Sequence, residues 1–378
     1  QALTPTDFGE FDDNGTWKAL AYTGTYGTNG FYLPMKPTTQ ATGFNTVLYT
    51  GTGAPQSING VGFSSSPDLI WFKNRAAGSP LLIDSVRGAF QELQPNSTGA
   101  ETSNNGTRIA SIDADGFSFA NTAVGGLNAS GNNYVAWTWD AGSGSAGTNT
   151  EGTINSTVKA NPATGFSVVT YTGDGGADTI GHGLGVAPKF IITKTRSIVN
   201  AWNCYHASLG AGAKIFLSGT NASTASSTVW NNTSPTSTVF SVGDANTNGS
   251  GTTMVAYCFA EVAGYSKIAT YPGNGSTTGP VVTTGFRPAW IMTKAATGTG
   301  GWHITDTTRY PQNDTSTAMG WLDADTNTAE GDYRTYKVTD TGFQVLDNGS
   351  VVNGNGVTYI YMAFADTADA RFNFDASG

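Results

Sequence analysis

The chain has 378 residues, 50 of them glycine, with 38% hydrophobic and only 12% charged residues and a formal net charge of -9. Its 18 Lys and Arg form no cluster, which argues against a broad nucleic-acid face, and no apolar run approaches the roughly 20 residues that span a bilayer. Scarce charge with abundant Thr, Ser, Asn and Gly disfavours exposed helices and points to an all-β chain with apolar material for two or three cores.

The N-terminal stretch "QALTPTDFGEFDDNG" has neither a basic n-region nor an apolar h-region, so no signal peptide is visible. Residues 1–40 are expected to form a docking segment. Within it, "GFYLPMKP" is expected to supply the first outer strand of the adjoining β structure.

From there the chain repeats itself. A Tyr-x-Gly-x-Gly turn occurs at Tyr49, Tyr171 and Tyr271, followed 18, 17 and 17 positions later by Pro67, Pro188 and Pro288. Each proline opens a similar line, "PDLIWFK", "PKFIITK" and "PAWIMTK", ending at Lys73, Lys194 and Lys294. Each line leads on to "GFSF", "VFSV" or "GFQV", and then to an aromatic strand, "YVAWTW", "MVAYCF" or "YIYMAF". Proline is tolerated at the first residue of a strand, where no ladder N–H is lost. The unbroken Phe190-Ile191-Ile192 predicts a strand buried on both faces. In "YVAWTW" the aromatics do not alternate cleanly, which weakens the strand pattern there. The three closing lysines are expected to reach solvent.

Short strands joined by Gly- and Asn-rich turns predict three tandem β-sandwich repeats of about 100 residues, jelly-roll or lectin-like. They would span 41–144, 145–264 (with a linker at its start) and 265–366, with a tail at 367–378. The stretch from Asp140 to Gly152 reads as the flexible boundary. The short "AEVAGYSK" connection predicts rigid coupling of the second and third repeats.

No catalytic constellation stands out. His182, His206 and His303 lack partners at ligand or triad spacing, and no Gly-x-Ser-x-Gly elbow occurs. Asp84 with Arg87 is echoed by Asp306 with Arg309, and reads as a structural loop clamp. "DADG" at Asp113 and "DADTN" at Asp323 resemble fragments of calcium loops but lack the later ligands, so no cofactor is assigned. Cys204 and Cys258 read as two buried thiols. Trp230, Tyr310 and Trp321 lie among Asn, Asp and Thr. They are the candidates for stacking on sugar faces, with partly buried loop anchors as the alternative.

The segments "GTWKALAYTGTYGTNGFYL", "HGLGVAPKFIITK", "VAYCFAEVAGYSK", "GFRPAWIMTK" and "TYIYMAFA" resemble a group of tailed-phage virion proteins common in marine and cyanobacterial phages. The likeness runs to about Ala365. In longer relatives the first segment opens a lamin-G-like sandwich, which this chain lacks. The resemblance implies a non-enzymatic virion protein on the particle surface, of tail-fibre or spike type, attaching to host-surface glycans. It implies other virion proteins as partners, a homotrimer by analogy with phage appendages, and no nucleic-acid or membrane partner. A capsid decoration protein and a polysaccharide-degrading spike are the alternatives.

Overall fold

The computed structural model describes residues 9–11, 17–19, 43–120, 126–311 and 319–365, excepting the side chains of 9–11, 17–19 and 332–334. Residues 1–39 and 40–378 are two separate compact units. In the first, strands Gly9–Phe11 and Trp17–Ala19 pair antiparallel. The expected outer strand "GFYLPMKP" lies outside the described residues.

Among its described residues the second unit is all-β apart from the four-residue helix Ala245–Asn248. One strand order recurs three times. In the first quartet, Phe44–Thr50 pairs with Asn133–Trp139, which pairs with Leu69–Asn74, which pairs with Leu81–Asp84. The second quartet runs Phe166–Thr172, Thr253–Phe259, Phe190–Thr195, Asn203–His206. The third runs Ser266–Pro272, Thr358–Ala365, Pro288–Ala295, Trp302–Asp306. The three similar proline-led lines are therefore equivalent inner strands. The second and third quartets are extended to eight strands, and the third becomes a nearly closed barrel.

Each quartet is covered on one face by a second layer. Gln56–Asn59 pairs with Gly116–Phe119, Asp178–Gly181 with Val239–Val242, and Val281–Thr283 with Gly342–Val345. Three apolar clusters each draw on one copy alone, such as Tyr49, Ile70, Phe72 and Phe117 in the first. A fourth cluster draws on all three copies and fills the faces that the second layers leave. Alternate residues of one strand thus enter different cores. Leu69 and Trp71 go to the common core, Ile70 and Phe72 to their own. Both faces are dry, which is why the aromatics of "YVAWTW" run on without alternation.

At the centre of the common core stand Trp139, Phe259 and Phe364, equivalent residues of the three quartets. Their rings meet edge to face at 6.0, 5.9 and 6.3 Å. Such contacts contribute about 0.5–1.5 kcal/mol each beyond the area buried.

The Tyr-x-Gly-x-Gly motif is a bolt onto the turn before the last strand. The hydroxyls of Tyr49, Tyr171 and Tyr271 donate to the carbonyls of Leu127, Thr247 and Val352. A Cβ on Gly51, Gly173 or Gly273 would fall 2.3–2.5 Å from a carbonyl oxygen of that turn, so only glycine passes.

The stretch from Asp140 to Gly152 is tied down in this structure. Asp140 accepts from Ser65 and Asn161, and Gly147–Asn149 is the edge strand of the second sheet. The expected free linker is absent because Asp140 bonds to both neighbouring copies.

Candidate functional site

The three lysines do not reach solvent. Lys73, Lys194 and Lys294 are all fully buried. Each ammonium crosses to a loop of another copy and donates to a threonine carbonyl there. Lys73 reaches Thr326 at 3.1 Å, Lys194 reaches Thr98 at 3.2 Å, and Lys294 reaches Thr220 at 2.9 Å. Each also donates to a carbonyl of its own copy, that of Gly78, Thr195 or Gly300. First to third, second to first, third to second, the contacts close a ring. The methylene stem crosses a dry interface, and two carbonyls replace the water of the head group. Burial lowers each lysine pKa to about 8. Sequence suggested a snorkelling strand end because the receiving loop lies far away in the chain.

Charged clamps lie beside two of the three junctions. Arg87 binds Asp84 at 2.5 Å and Glu101 at 2.7 Å, and also donates to the carbonyl of Leu82 and the hydroxyl of Tyr257. Glu101 in turn takes Arg196 of the second copy. Arg309 binds Asp306 and Glu330 in the same manner, and Glu330 takes Arg75 of the first copy. Tyr257 donates to Asp84, and its equivalent Trp137 donates to Asp306. At the junction of the second and third copies every member is replaced by a neutral one. Register places His206, Leu209, Ser223, Ala296 and Met362 where the first junction has Asp84, Arg87, Glu101, Arg196 and Tyr257.

The histidines serve local geometry. The His182 ring bonds the Thr236 carbonyl through Nε2 and accepts the Leu184 N–H at Nδ1. His206 Nδ1 accepts the Ser208 N–H. Burial lowers the pKa of His182, and takes those of His206 and His303 to about 4. The two thiols are free and buried, and burial pushes Cys258 up to about 12. A shallow depression lined by Ala141, Gly144, Val158 and Lys159 holds one charged group, and that ammonium is taken by Asp68 at 2.6 Å. Among the described residues, no three or more His, Cys, Asp or Glu side chains are grouped to hold a metal. No helix among them is long and apolar enough to cross a membrane.

The three candidate aromatics do not form one cluster. Trp230 is 1% exposed and packs edge to face on Tyr205 inside the second core, so it offers no ring face to a sugar. Its polar sequence neighbours are turn residues around a buried anchor. Tyr310 and Trp321 are half-buried and flank one strand pair of the third copy. Trp321 lies over Gly331 and stacks on His303 at 4.9 Å and 7°. The Tyr310 hydroxyl lies over Gly320, and its ring faces the Arg309 guanidinium at 5.7 Å. Glycine at 320 and 331 leaves room for both side chains.

Sequence reading missed Asn128, Asn248 and Asn353. Each side-chain oxygen accepts the N–H of the residue after the motif's first glycine, at Thr52, Asp174 and Asn274. The signal was present as Asn-x-x-Gly ahead of each aromatic strand, with Gly131, Gly251 and Gly356 at φ of 79°, 70° and 72°.

No curated protein and no solved structure matches the chain. Residues 39–368 match the family described as Domain of unknown function (DUF7483), and the chain therefore belongs to that family.

Proposed function

We propose that this chain is a structural protein of a tailed-phage particle, exposed as a tail fibre or spike-type component that contributes to host-surface glycan attachment. In this reading three tandem two-layered sandwiches, jelly-roll or lectin-like, form one rigid head. Residues 1–40 dock that head to other virion proteins. The observation that carries the reading is the closed ring of Lys73, Lys194 and Lys294. The residues repeated in all three copies build a stiff body and leave the outer loops free to differ. The resemblance to phage virion proteins supplies the location. Tyr310 and Trp321, each half-buried beside the strand Met319–Asp323, remain the candidate sugar-stacking side chains.

Homotrimeric assembly stays part of the proposal as an analogy, since one chain already closes a threefold arrangement. Immunogold labelling of intact particles tests the reading. Label on the tail supports it, label on the head favours a decoration protein, and no label removes it. A glycan array with Tyr310→Ala and Trp321→Ala tests attachment; unchanged binding clears those two residues of the role.

A further inference from the structure

Two carboxylates of the third copy each leave one buried oxygen without a hydrogen bond. Asp84 and Asp306 are clamped by arginine and Asp68 is held by Lys159. Asp325 is 9% exposed and forms no ion pair among the described residues. Its Oδ1 accepts the Trp302 N–H at 2.9 Å, while its buried Oδ2 makes no hydrogen bond. Asp323 Oδ2 accepts the hydroxyls of Thr326 and Thr328 at 3.2 and 3.0 Å. Asp323 Oδ1 is buried without a hydrogen bond, 3.3 Å from His303 Nε2. Each carboxylate is thus oriented through one oxygen and leaves the other unused. Buried charge of this kind is costly unless it is paired or coordinates a metal.

The unused oxygens converge. A Cβ built on Gly301 would stand 3.1 and 3.5 Å from the two oxygens of Asp325 and 3.6 Å from Asp323 Oδ1. Gly301 is not among the positive-φ glycines, so its backbone does not require the missing side chain. Both unused oxygens, together with the Asp325 Oδ1 that holds the Trp302 N–H, face the position a side chain at 301 would occupy.

We propose that Asp323 and Asp325 bind a calcium ion in the space beside Gly301, with water completing its shell. The two carboxylates supply the oxygen ligands that calcium prefers, and even with His303 Nε2 3.3 Å from Asp323 Oδ1 the side chains form no group of three or more His, Cys or acidic ligands suited to a tight transition-metal site. Lys73 feels Asp323 through space and Lys294 feels Asp325, so the nearby ammoniums weaken the affinity. Half-saturation is expected at about 10⁻⁴–10⁻³ M, the range of extracellular modules. The ion would stiffen the loop that presents the Thr326 carbonyl to Lys73, at the junction of the third copy with the first. The equivalent positions elsewhere are Gln94 and Asn96, and Phe216 and Ser218, so the site belongs to the third copy alone. This proposal does not rest on the phage reading.

The test uses the full chain after chelation. Calcium is expected to raise the melting temperature saturably. Terbium is expected to show emission sensitised by nearby Trp302 and Trp321, which calcium displaces. Asp325→Asn and Gly301→Ala are each expected to weaken terbium binding at least about tenfold, the loss of one ligand or of the space. Asp115→Asn, in an exposed turn where Asp115 binds Gly60 and Gly62, is expected to leave it unchanged. Equal melting with and without calcium and no sensitised emission would overturn the proposal. So would full binding in Gly301→Ala, which keeps both carboxylates.

Discussion

Replacing Arg87 by leucine is expected to cost far more than replacing its whole neighbourhood. The Arg87 and Asp84 side chains are fully buried. Arg87→Leu leaves the Asp84 carboxylate with only the Tyr257 hydroxyl and the Arg87 backbone N–H, and takes one arginine from Glu101. An uncompensated buried charge of this kind costs about 3–5 kcal/mol. The junction of the second and third copies shows that the same fold accepts a neutral set. Transplanting that set gives Asp84→His, Arg87→Leu, Glu101→Ser, Arg196→Ala and Tyr257→Met. This five-site variant removes the charges together, and its net cost is expected to stay within about 2 kcal/mol of the parent. Urea titrations of the parent, the single variant and the five-site variant supply the comparison, with m-values checking that the unfolding transition is unchanged. A five-site variant no more stable than Arg87→Leu alone would mean that the two junctions are not physically equivalent.

Burial sets a pH dependence at Lys194. Its folded pKa of about 8 lies below the ordinary 10.5, so between these values the unfolded chain binds more protons and stability rises with pH. Below about 8 both states are protonated and the burial cost is fully present. Lys194→Met should flatten the rise between pH 8 and 9.5 by roughly a third, Lys73 and Lys294 supplying the remainder; an unaltered slope in urea titrations would reject the assignment. Trp139→Ala opens the aromatic triangle and is expected to cost about 3–5 kcal/mol by the same measurement. Gly273→Ala, whose Cβ would fall 2.3 Å from the Gly354 carbonyl oxygen, should lower the melting temperature, whereas Gly285→Ala, with open space around it, should be limited to the strain of its positive φ. Cys204 and Cys258 should react with a thiol reagent only after unfolding, since both are fully buried.

The parts of this fold legible in the sequence were those written locally. Pro67, Pro188 and Pro288 mark equivalent strands because the position restricts what may stand there, and the restriction shows in three copies. The Asp-x-x-Arg clamps were legible for the same reason, since Arg87 and Arg309 reach back three residues. What escaped lies across the copies. Nothing near Lys194 announces that its acceptor is Thr98, 96 residues earlier. Trp230 misled because burial in a β core depends on which sheet lies above, and polar turn neighbours do not report that. Asp323 and Asp325 were noticed as a motif fragment, but the oxygens left unused appear only once Trp302, Thr326 and Thr328 are in place.

Chain connectivity explains where the charges sit. The second and third copies are joined between Phe259 and Ser266, a connection too short to let their sheets separate far. That junction lacks the Asp-Arg-Glu clamp, and its ion pairs, Glu261 with Lys189 and Lys267, lie at the connection itself. The first and second copies are joined through the longer path from Trp139 to Phe166, and the third meets the first with no connecting chain between them. Both of those junctions carry the full set of Asp, Arg and Glu. Buried ion pairs add little net stability over packed apolar residues, but a misplaced partner is strongly penalised. They therefore act most where the backbone does not already enforce the register. The aromatic triangle at the axis would tolerate a rotated or offset approach of the third copy. The clamp would not, because a shift by one residue would take Arg75 from Glu330 and the Trp137 N–H from Asp306, the two contacts it makes across the copies.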